Sequence, residues 1–376
     1  MRITFPHMGD AYIPVKVLLD CAGIEYVMPP VSGKGLLEQG ILHSPEFACL
    51  PFKTIMGDFL YGIEHGADCI LFGGGCGQCR FGYFGKLQDE ILKSIGYNVN
   101  FIYLDLSNIS FKEVLEKIKP LTEGKSIFNL SKAILNALIT VFKVDRINEL
   151  CRFTRCREIN KGQTNKIMYR FHNEVQIARG YKSINKIIRS TIKELKQVAL
   201  DKKHKPLRVA LVGEIYVAAH PQINFEIEKK LGNMGVEVHN TLGISYWIKE
   251  HFIKKLIPFK IKNKDHEAGK EFMKTDDIGG HGLSSIGASI RRAKMGFDGV
   301  VHIYPLTCMP EIVAQSTFNE VQKKYNIPIM TLIVDEMTGE AGYTTRLEAF
   351  IDMILMKKKA SAALHSPDTS RLLNNC

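Results

Sequence analysis

The chain has 376 residues, of which 45% are hydrophobic and 24% are charged, as in globular proteins with two or three domains. No stretch approaches the roughly 18 uninterrupted apolar residues of a membrane span, so the composition excludes a helical membrane protein. The first residues lead into a predicted strand without an export signal, and we therefore expect a soluble, cytoplasmic protein.

The net charge of +11 is concentrated in the middle of the chain. Residues 108–208 contain 23 Lys and Arg against 9 Asp and Glu, whereas the remainder contains 27 against 30. This pattern is typical of helices with solvated basic faces, or of a surface for anions such as nucleotide phosphates or for an acidic partner protein. No nucleic-acid-binding motif is present, so nucleic acid is not an expected partner.

Residues 1–107 are predicted to form an N-terminal α/β domain. Glycine, proline and polar residues separate short apolar runs from helical patterns, and residues 31–44 are predicted to be a polar, glycine-rich loop. Strands that alternate with helices indicate a parallel sheet, whose ligands collect at the carboxyl ends of the strands. The predicted strands are 2–5, 25–28, 69–72 and 100–104, and the predicted helices are 12–22, 51–65 and 81–95.

Residues 108–206 are predicted to be a basic helical insertion or lid, with helices at 111–118, 127–142, 145–160 and 164–200. A second α/β domain is predicted at 207–356, followed by a flexible tail at 357–376. Within it, Thr345 and Glu348 have the spacing of a capping box and predict the start of the last helix. The predicted fold class is therefore α/β, with two doubly wound, flavodoxin-like or Rossmann-like parallel sheets and a helical middle segment.

A cysteine turn follows the predicted strand at 69–72. The glycines at 73–75, including Gly74 and Gly75, allow the backbone to turn tightly and to pass close to a bulky inorganic group. Cys76 and Cys79 then precede a helix, whose N-terminus is expected to lower the pKa of a thiol and so favour the metal-binding thiolate.

Two further cysteines share one local pattern, a Cys-x-Pro ahead of a helix. Cys49 precedes Pro51, and Cys308, which follows a predicted strand, precedes Pro310. With Cys76 and Cys79 they are expected to meet in a cleft between the α/β domains, as the ligands of an iron–sulfur cluster must. From spacing alone, a thiol–disulfide pair, a structural zinc site and unliganded core cysteines remain open alternatives.

Five segments resemble the iron–sulfur subunits of the 2-hydroxyacyl-CoA dehydratase superfamily, and most closely the CoA protein activase branch, relatives of the double-cubane cluster protein. The resemblance implies that Cys49, Cys308 and at least one of Cys76 and Cys79 bind a cluster. It also implies low-potential electrons from an actin-like ATPase activase with its own cluster, a small or acyl-CoA substrate, and a homodimer or a heterodimer with a related subunit. The segments are 44–53, 73–83, 212–217, 300–314 and 335–350.

A single [4Fe-4S] cluster is favoured over a double-cubane [8Fe-9S] cluster, because Cys21 and Cys69, the nearby additional thiols, have the positions of core residues. Glu214 and His281 are candidate catalytic residues, with a capping carboxylate and a loop histidine without chemical role as the alternatives. The sequence thus favours an iron–sulfur protein that carries out or supports reductive or radical chemistry on a small substrate. The alternatives are a non-catalytic electron-transfer or activase partner and a thiol–disulfide oxidoreductase that uses Cys76 and Cys79.

Overall fold

Two four-stranded, all-parallel sheets form the framework of the protein, with strand orders β2-β1-β3-β4 and β6-β5-β7-β8. The structure is a computed structural model that describes residues 1–31, 34–74, 79–105, 111–122, 127–250, 262–275 and 278–364. It confirms the predicted α/β class with parallel sheets. The strands are β1 (Arg2–Thr4), β2 (Glu25–Val27), β3 (Cys69–Gly74), β4 (Asn100–Asp105), β5 (Leu207–Gly213), β6 (Val236–Asn240), β7 (Gly299–Pro305) and β8 (Ile329–Val334).

Helices connect the parallel strands and fill the middle of the chain. The N-terminal and middle helices are α1 (Tyr12–Ala22), α2 (Lys34–Leu42), α3 (Leu50–Glu64), α4 (Phe81–Ser94), α5 (Phe111–Ile118), α6 (Ile127–Arg155), α7 (Gln163–Ile177) and α8 (Gly180–Gln197). The later helices are α9 (Ile215–Ala219), α10 (Ile227–Asn233), α11 (Ile244–Ile248), α12 (Lys264–Gly269), α13 (Gly282–Lys294), α14 (Met309–Tyr325) and α15 (Glu340–Leu364). No helix among the described residues combines the length and the apolar character needed to cross a bilayer.

One hydrophobic cluster extends across both sheets. Alternate residues of β3 point to opposite faces, so that Ile70 and Phe72 join one apolar cluster while Leu71 joins another. The first of these clusters continues into the second sheet through Val209 and Leu211 of β5. The basic helices α6, α7 and α8 cover the other cluster, which places the helical segment against the N-terminal sheet.

Gly213 controls how the chain leaves the end of β5. Its φ of 132° is a backbone conformation that favours glycine, and a Cβ at this position would lie 1.8 Å from the carbonyl oxygen of Ile303. The close approach lets the next residue, Glu214, start α9 directly beside β7.

The prediction of a loop at 31–44 is wrong, because residues 34–42 form α2. Two glycines allow α2 and α3 to pack with their backbones in contact. A Cβ at Gly40 would lie 1.8 Å from the Lys53 carbonyl oxygen, and a Cβ at Gly57 would lie 2.0 Å from the Leu36 carbonyl oxygen. Gly40, one of the glycines that suggest a loop in the sequence, therefore serves close helix packing.

Three helix boundaries also differ from the prediction. Residues 127–155 form one helix. It continues through Lys143 and Val144, where a break was predicted, and it ends before residue 160. The predicted helix at 164–200 is two helices, divided before Gly180, whose φ is 73°.

The last helix begins at Glu340 rather than at Thr345. Thr345 lies within it, and its hydroxyl donates a hydrogen bond to the Ala341 carbonyl oxygen instead of capping the helix. The same helix continues to Leu364, and residues 365–376 of the predicted tail lie outside the described residues.

Candidate metal centre

Three of the four predicted cysteine ligands line one small pocket. Cys49 directly precedes α3, Cys308 directly precedes α14, and Cys79 lies two residues before α4. Neither Cys49 nor Cys308 uses its side chain to cap its helix, so both thiols are left for the pocket. Cys76 and Gly75 lie outside the described residues, and their predicted roles stay predictions.

Side chains next to the cysteines tie the three segments together. The Arg80 guanidinium donates hydrogen bonds to the carbonyl oxygen of Thr307 and, at 3.2 Å, to its hydroxyl. That hydroxyl donates to the Phe47 carbonyl oxygen at 3.3 Å. Thr307 has a φ of 69°, which a β-branched residue rarely adopts, and such conformations are maintained by surrounding contacts at functional sites.

A backbone N–H group at the start of a helix favours the thiolate form of each cysteine. The groups belong to Phe52 for Cys49, Phe81 for Cys79 and Glu311 for Cys308, and each acts to lower the pKa of its thiol. Backbone N–H groups directed at sulfur stabilise thiolate and are one of the means by which proteins adjust the potentials of iron–sulfur centres.

The predicted net lowering of the Cys79 pKa is nevertheless wrong, because burial outweighs the effect of the N–H group and raises that pKa. Burial, with the nearby Glu214 carboxylate, raises the pKa of Cys49 to about 12. Burial and Glu311 raise the pKa of Cys308 still further. The pocket therefore holds neutral thiols unless a cation compensates the thiolates.

Glu214 caps a helix and also lines the thiol pocket. Its carboxylate oxygens accept hydrogen bonds of 2.9 Å from the backbone N–H groups of Tyr216 and Val217, which caps α9. The same side chain lines the thiol pocket. Burial raises the pKa of Glu214 to about 7, although the two N–H bonds oppose this shift.

An apolar cavity of about 210 Å³ adjoins the thiol pocket and shares Cys79, Cys308 and Glu214 with it. Gly74 and His281, both singled out in the sequence, also line this cavity. Its apolar wall consists mainly of Met8, Ala11, Ile215, Ile244, Trp247 and Pro310. A cavity of this kind suits a small, largely apolar molecule with a few polar contacts.

Glu311 and His302 are residues of this site that sequence reasoning missed. Both side chains are fully buried, and Glu311 Oε2 lies 2.8 Å from His302 Nε2. Glu311 also lines the apolar cavity, and its Oε1 is buried without a hydrogen-bond partner among the described residues. A signal was present, since His302 is a polar residue in the apolar run of β7, where burial requires a partner.

The cysteines assigned to the core occupy it. Cys69 is fully buried in β3, and Cys21 packs half-buried against the same cluster. Neither of them lines the thiol pocket or the apolar cavity.

Cys49, Cys79 and Cys308 give the thiol pocket three sulfur donors. Among the described residues, no group of three or more His, Cys, Asp or Glu side chains is arranged to hold one metal ion. A cubane cluster takes each thiolate on a different iron atom and does not require its ligands to gather around one ion. The three thiols of the pocket are the described residues that could serve as such ligands.

Neither the scan against protein-family models nor the search of curated proteins finds a match for this chain. The residues of the site therefore provide the basis for assigning a function.

Proposed function

We propose that this protein holds an iron–sulfur cluster at Cys49, Cys79 and Cys308 and supports low-potential reductive chemistry on a small substrate. The observation that carries the proposal is that three thiols, from segments far apart in the chain, line one pocket. A [4Fe-4S] cluster matches three thiols supplemented by Cys76, which lies outside the described residues. Such a cluster, when bound, supplies single electrons at low potential.

The chemistry of the pocket is compatible with a metal bound to the thiols. Thiolates at Cys49 and Cys308 would lie near the Glu214 carboxylate, and this accumulation of buried negative charge is unfavourable without a metal. Iron bound to the thiols would compensate the charge and displace their protons. The backbone N–H donors of the three helices then serve the ligated sulfurs.

The adjoining cavity supports a catalytic role rather than electron transfer alone. Its apolar wall, including Ile244 and Trp247, can hold the body of a small substrate and exclude water. Glu214, with a pKa of about 7, can hold or release a proton near neutral pH at the edge shared with the thiols. An acyl-CoA substrate is the class that the sequence resemblance implies.

The thiol–disulfide alternative receives less support from the site. A reactive dithiol needs a thiol with a lowered pKa, whereas burial raises the pKa of Cys79.

The electron donor in our proposal is the actin-like ATPase activase expected from the resemblance. The basic helices α6–α8 are a suitable docking surface for an acidic partner.

Anaerobic purification followed by iron and sulfide determination and EPR spectroscopy tests the cluster. We expect wild-type protein to contain iron and sulfide, and Cys49→Ser and Cys308→Ser to lose most of both. Cys21→Ser is the matched control and should retain the metal, because Cys21 packs against hydrophobic core residues away from the thiol pocket. Folded wild-type protein without iron, or unchanged iron in the two pocket variants, contradicts the proposal.

A further inference from the structure

A second, larger cavity lies away from the thiols, between the basic helices and the second sheet. It has a volume of about 620 Å³, within the range of sites for organic ligands. Helices α6 and α7 line one side, and β6 with the segment that follows it lines the other. It shares only Ile244 with the apolar cavity, so it is a separate site.

The carboxylates around this cavity already have partners. Asp145 accepts a hydrogen bond from the Ser245 backbone N–H at 2.7 Å. Burial raises the pKa of this carboxyl group. The other acidic side chains of the lining are each paired with a basic one. These pairs are Glu228 with Arg152, Glu237 with Arg157, Asp265 with Arg291, Asp10 with His172, Glu226 with Lys229 and Glu149 with Arg146.

Two buried arginines in the same lining have no carboxylate partner among the described residues. Arg292 is 9% exposed, and its guanidinium donates to His239 Nε2 at 3.0 Å, while its Nε is buried without a partner. Arg155 is 6% exposed and donates to Asn165 Oδ1 at 2.7 Å and to Cys151 Sγ at 2.9 Å. All of these acceptors are neutral groups.

Buried guanidinium groups without a counter-anion are costly, because arginine stays charged in proteins. The exposed Lys249, which lies over the ring of Phe142 at 5.2 Å, is a third cation of the lining without an ion-pair partner among the described residues. Asp265 acts on Arg292 only from beyond ion-pair distance, so Arg292, Arg155 and Lys249 are the cations of the lining that are left for an anionic ligand.

We propose that this cavity binds an organic phosphate of nucleotide size, whose phosphate oxygens accept hydrogen bonds from Arg292 and Arg155. Planar guanidinium groups match phosphate geometry, and two of them suit a ligand with more than one anionic oxygen. Phe153, Tyr169 and Tyr246 line the same cavity with exposed rings on which a base can stack. The proposal does not depend on the iron–sulfur assignment.

Calorimetric titration of the full chain with inorganic pyrophosphate, AMP, ATP and succinate tests the site. We expect saturable binding of pyrophosphate and of both nucleotides, weakened by added salt, and little binding of succinate. Arg292→Gln and Arg155→Gln should each weaken binding about tenfold, the usual size of a lost charge-assisted contact. Arg170→Gln, an exposed arginine of α7 outside the cavity, is the matched control and should bind as wild type.

Loss of a buried arginine can also disturb folding, so each variant is first compared with wild type by thermal unfolding. Should both buried variants unfold, Lys249→Gln, at an exposed position, should weaken pyrophosphate binding about threefold. Absence of saturable binding to wild type, equal binding by folded variants, or succinate binding as tight as pyrophosphate overturns the proposal. Cys308→Ser should bind pyrophosphate normally, which separates this site from the cluster.

Discussion

Lys53 and Glu336 form an ion pair that joins the two α/β parts of the chain. The Lys53 side chain is 4% exposed, whereas that of Glu336 is 25% exposed. A buried ammonium that loses its partner pays for desolvation without compensation, whereas a partly exposed carboxylate can be solvated by water.

We therefore expect Glu336→Ala to lower the free energy of unfolding by about 2–3 kcal/mol and Lys53→Met by about 1 kcal/mol or less. Urea denaturation of both variants measures the difference. Equal losses, or a larger loss for Lys53→Met, would show that Glu336 does not act by compensating the desolvation of the Lys53 ammonium.

Two buried histidines make the chain sensitive to acid. Burial lowers the pKa of His7 to about 4 and that of His220 to about 3, from an ordinary value of 6.5. Below about pH 6.5 the unfolded chain binds protons that the folded chain does not, so the free energy of unfolding falls as the pH falls. The opposite sign applies to Asp58, whose pKa burial raises.

The histidines and Asp58 shift the free energy of unfolding in opposite directions as the pH falls. A variant that lacks one histidine therefore isolates the contribution of that histidine. We expect wild type to lose about 2 kcal/mol through His220 between pH 7 and pH 5, and His220→Leu to lack that share. Urea midpoints across this pH range measure it. The control is His65→Leu, an exposed histidine beside Tyr61, and a pH dependence as steep in His220→Leu as in this control refutes the linkage.

At the scale of elements, the packing of α2 on α3 holds the segment that leads into Cys49. The helices touch through Gly40 and Gly57, where added methyl groups would collide with backbone atoms. Backbone atoms cannot move aside as flexible side chains can, so the contact has little tolerance for larger residues.

We expect Gly57→Ala to lower the free energy of unfolding by about 2–3 kcal/mol, through overpacking. Gly35→Ala, in α2, is the matched control, since a Cβ there would have no neighbour within 4 Å. It should leave stability unchanged or raise it by up to about 1 kcal/mol, because alanine favours helix. Thermal or urea unfolding compares the pair, and a Gly57→Ala variant as stable as Gly35→Ala would contradict the packing.

Across the whole molecule, the shared core and several polar contacts join the two sheets. The Tyr216 hydroxyl donates to the His7 carbonyl oxygen at 3.4 Å, and a Cβ at Gly9 would lie 1.8 Å from the Ala219 carbonyl oxygen. The apolar cluster that includes Phe72 and Val209 is continuous between the sheets. Neither sheet can lose its structure without exposing part of this cluster.

We therefore expect the metal-free chain to unfold in a single cooperative transition. Trp247 fluorescence reports on the second α/β part, and far-UV circular dichroism reports on all helices. The two signals should change at the same denaturant concentration. Separate midpoints would show that the halves are stable independently of their shared core.

Much of the architecture could be predicted from the sequence, because it depends on neighbours along the chain. The apolar run of β3 and the Cys-x-Pro pairs at 49–51 and 308–310 each specify a strand or a helix start within a few residues. Parallel pairing then brings loops to one edge of each sheet, which is why Cys49, Cys79 and Cys308 could be placed near one another.

The properties of the site itself came only from the tertiary structure. Burial, which depends on residues distant in sequence, raises the thiol pKa values that the helix N-termini alone would lower. Packing of α2 on α3 turns an apparent loop into a helix, and the contact of Glu311 with His302 requires the folded β7 and α14. Strand and helix formation depends largely on local sequence. Desolvation and side-chain pairing depend on which residues the fold brings together, and the order of residues along the chain does not show this.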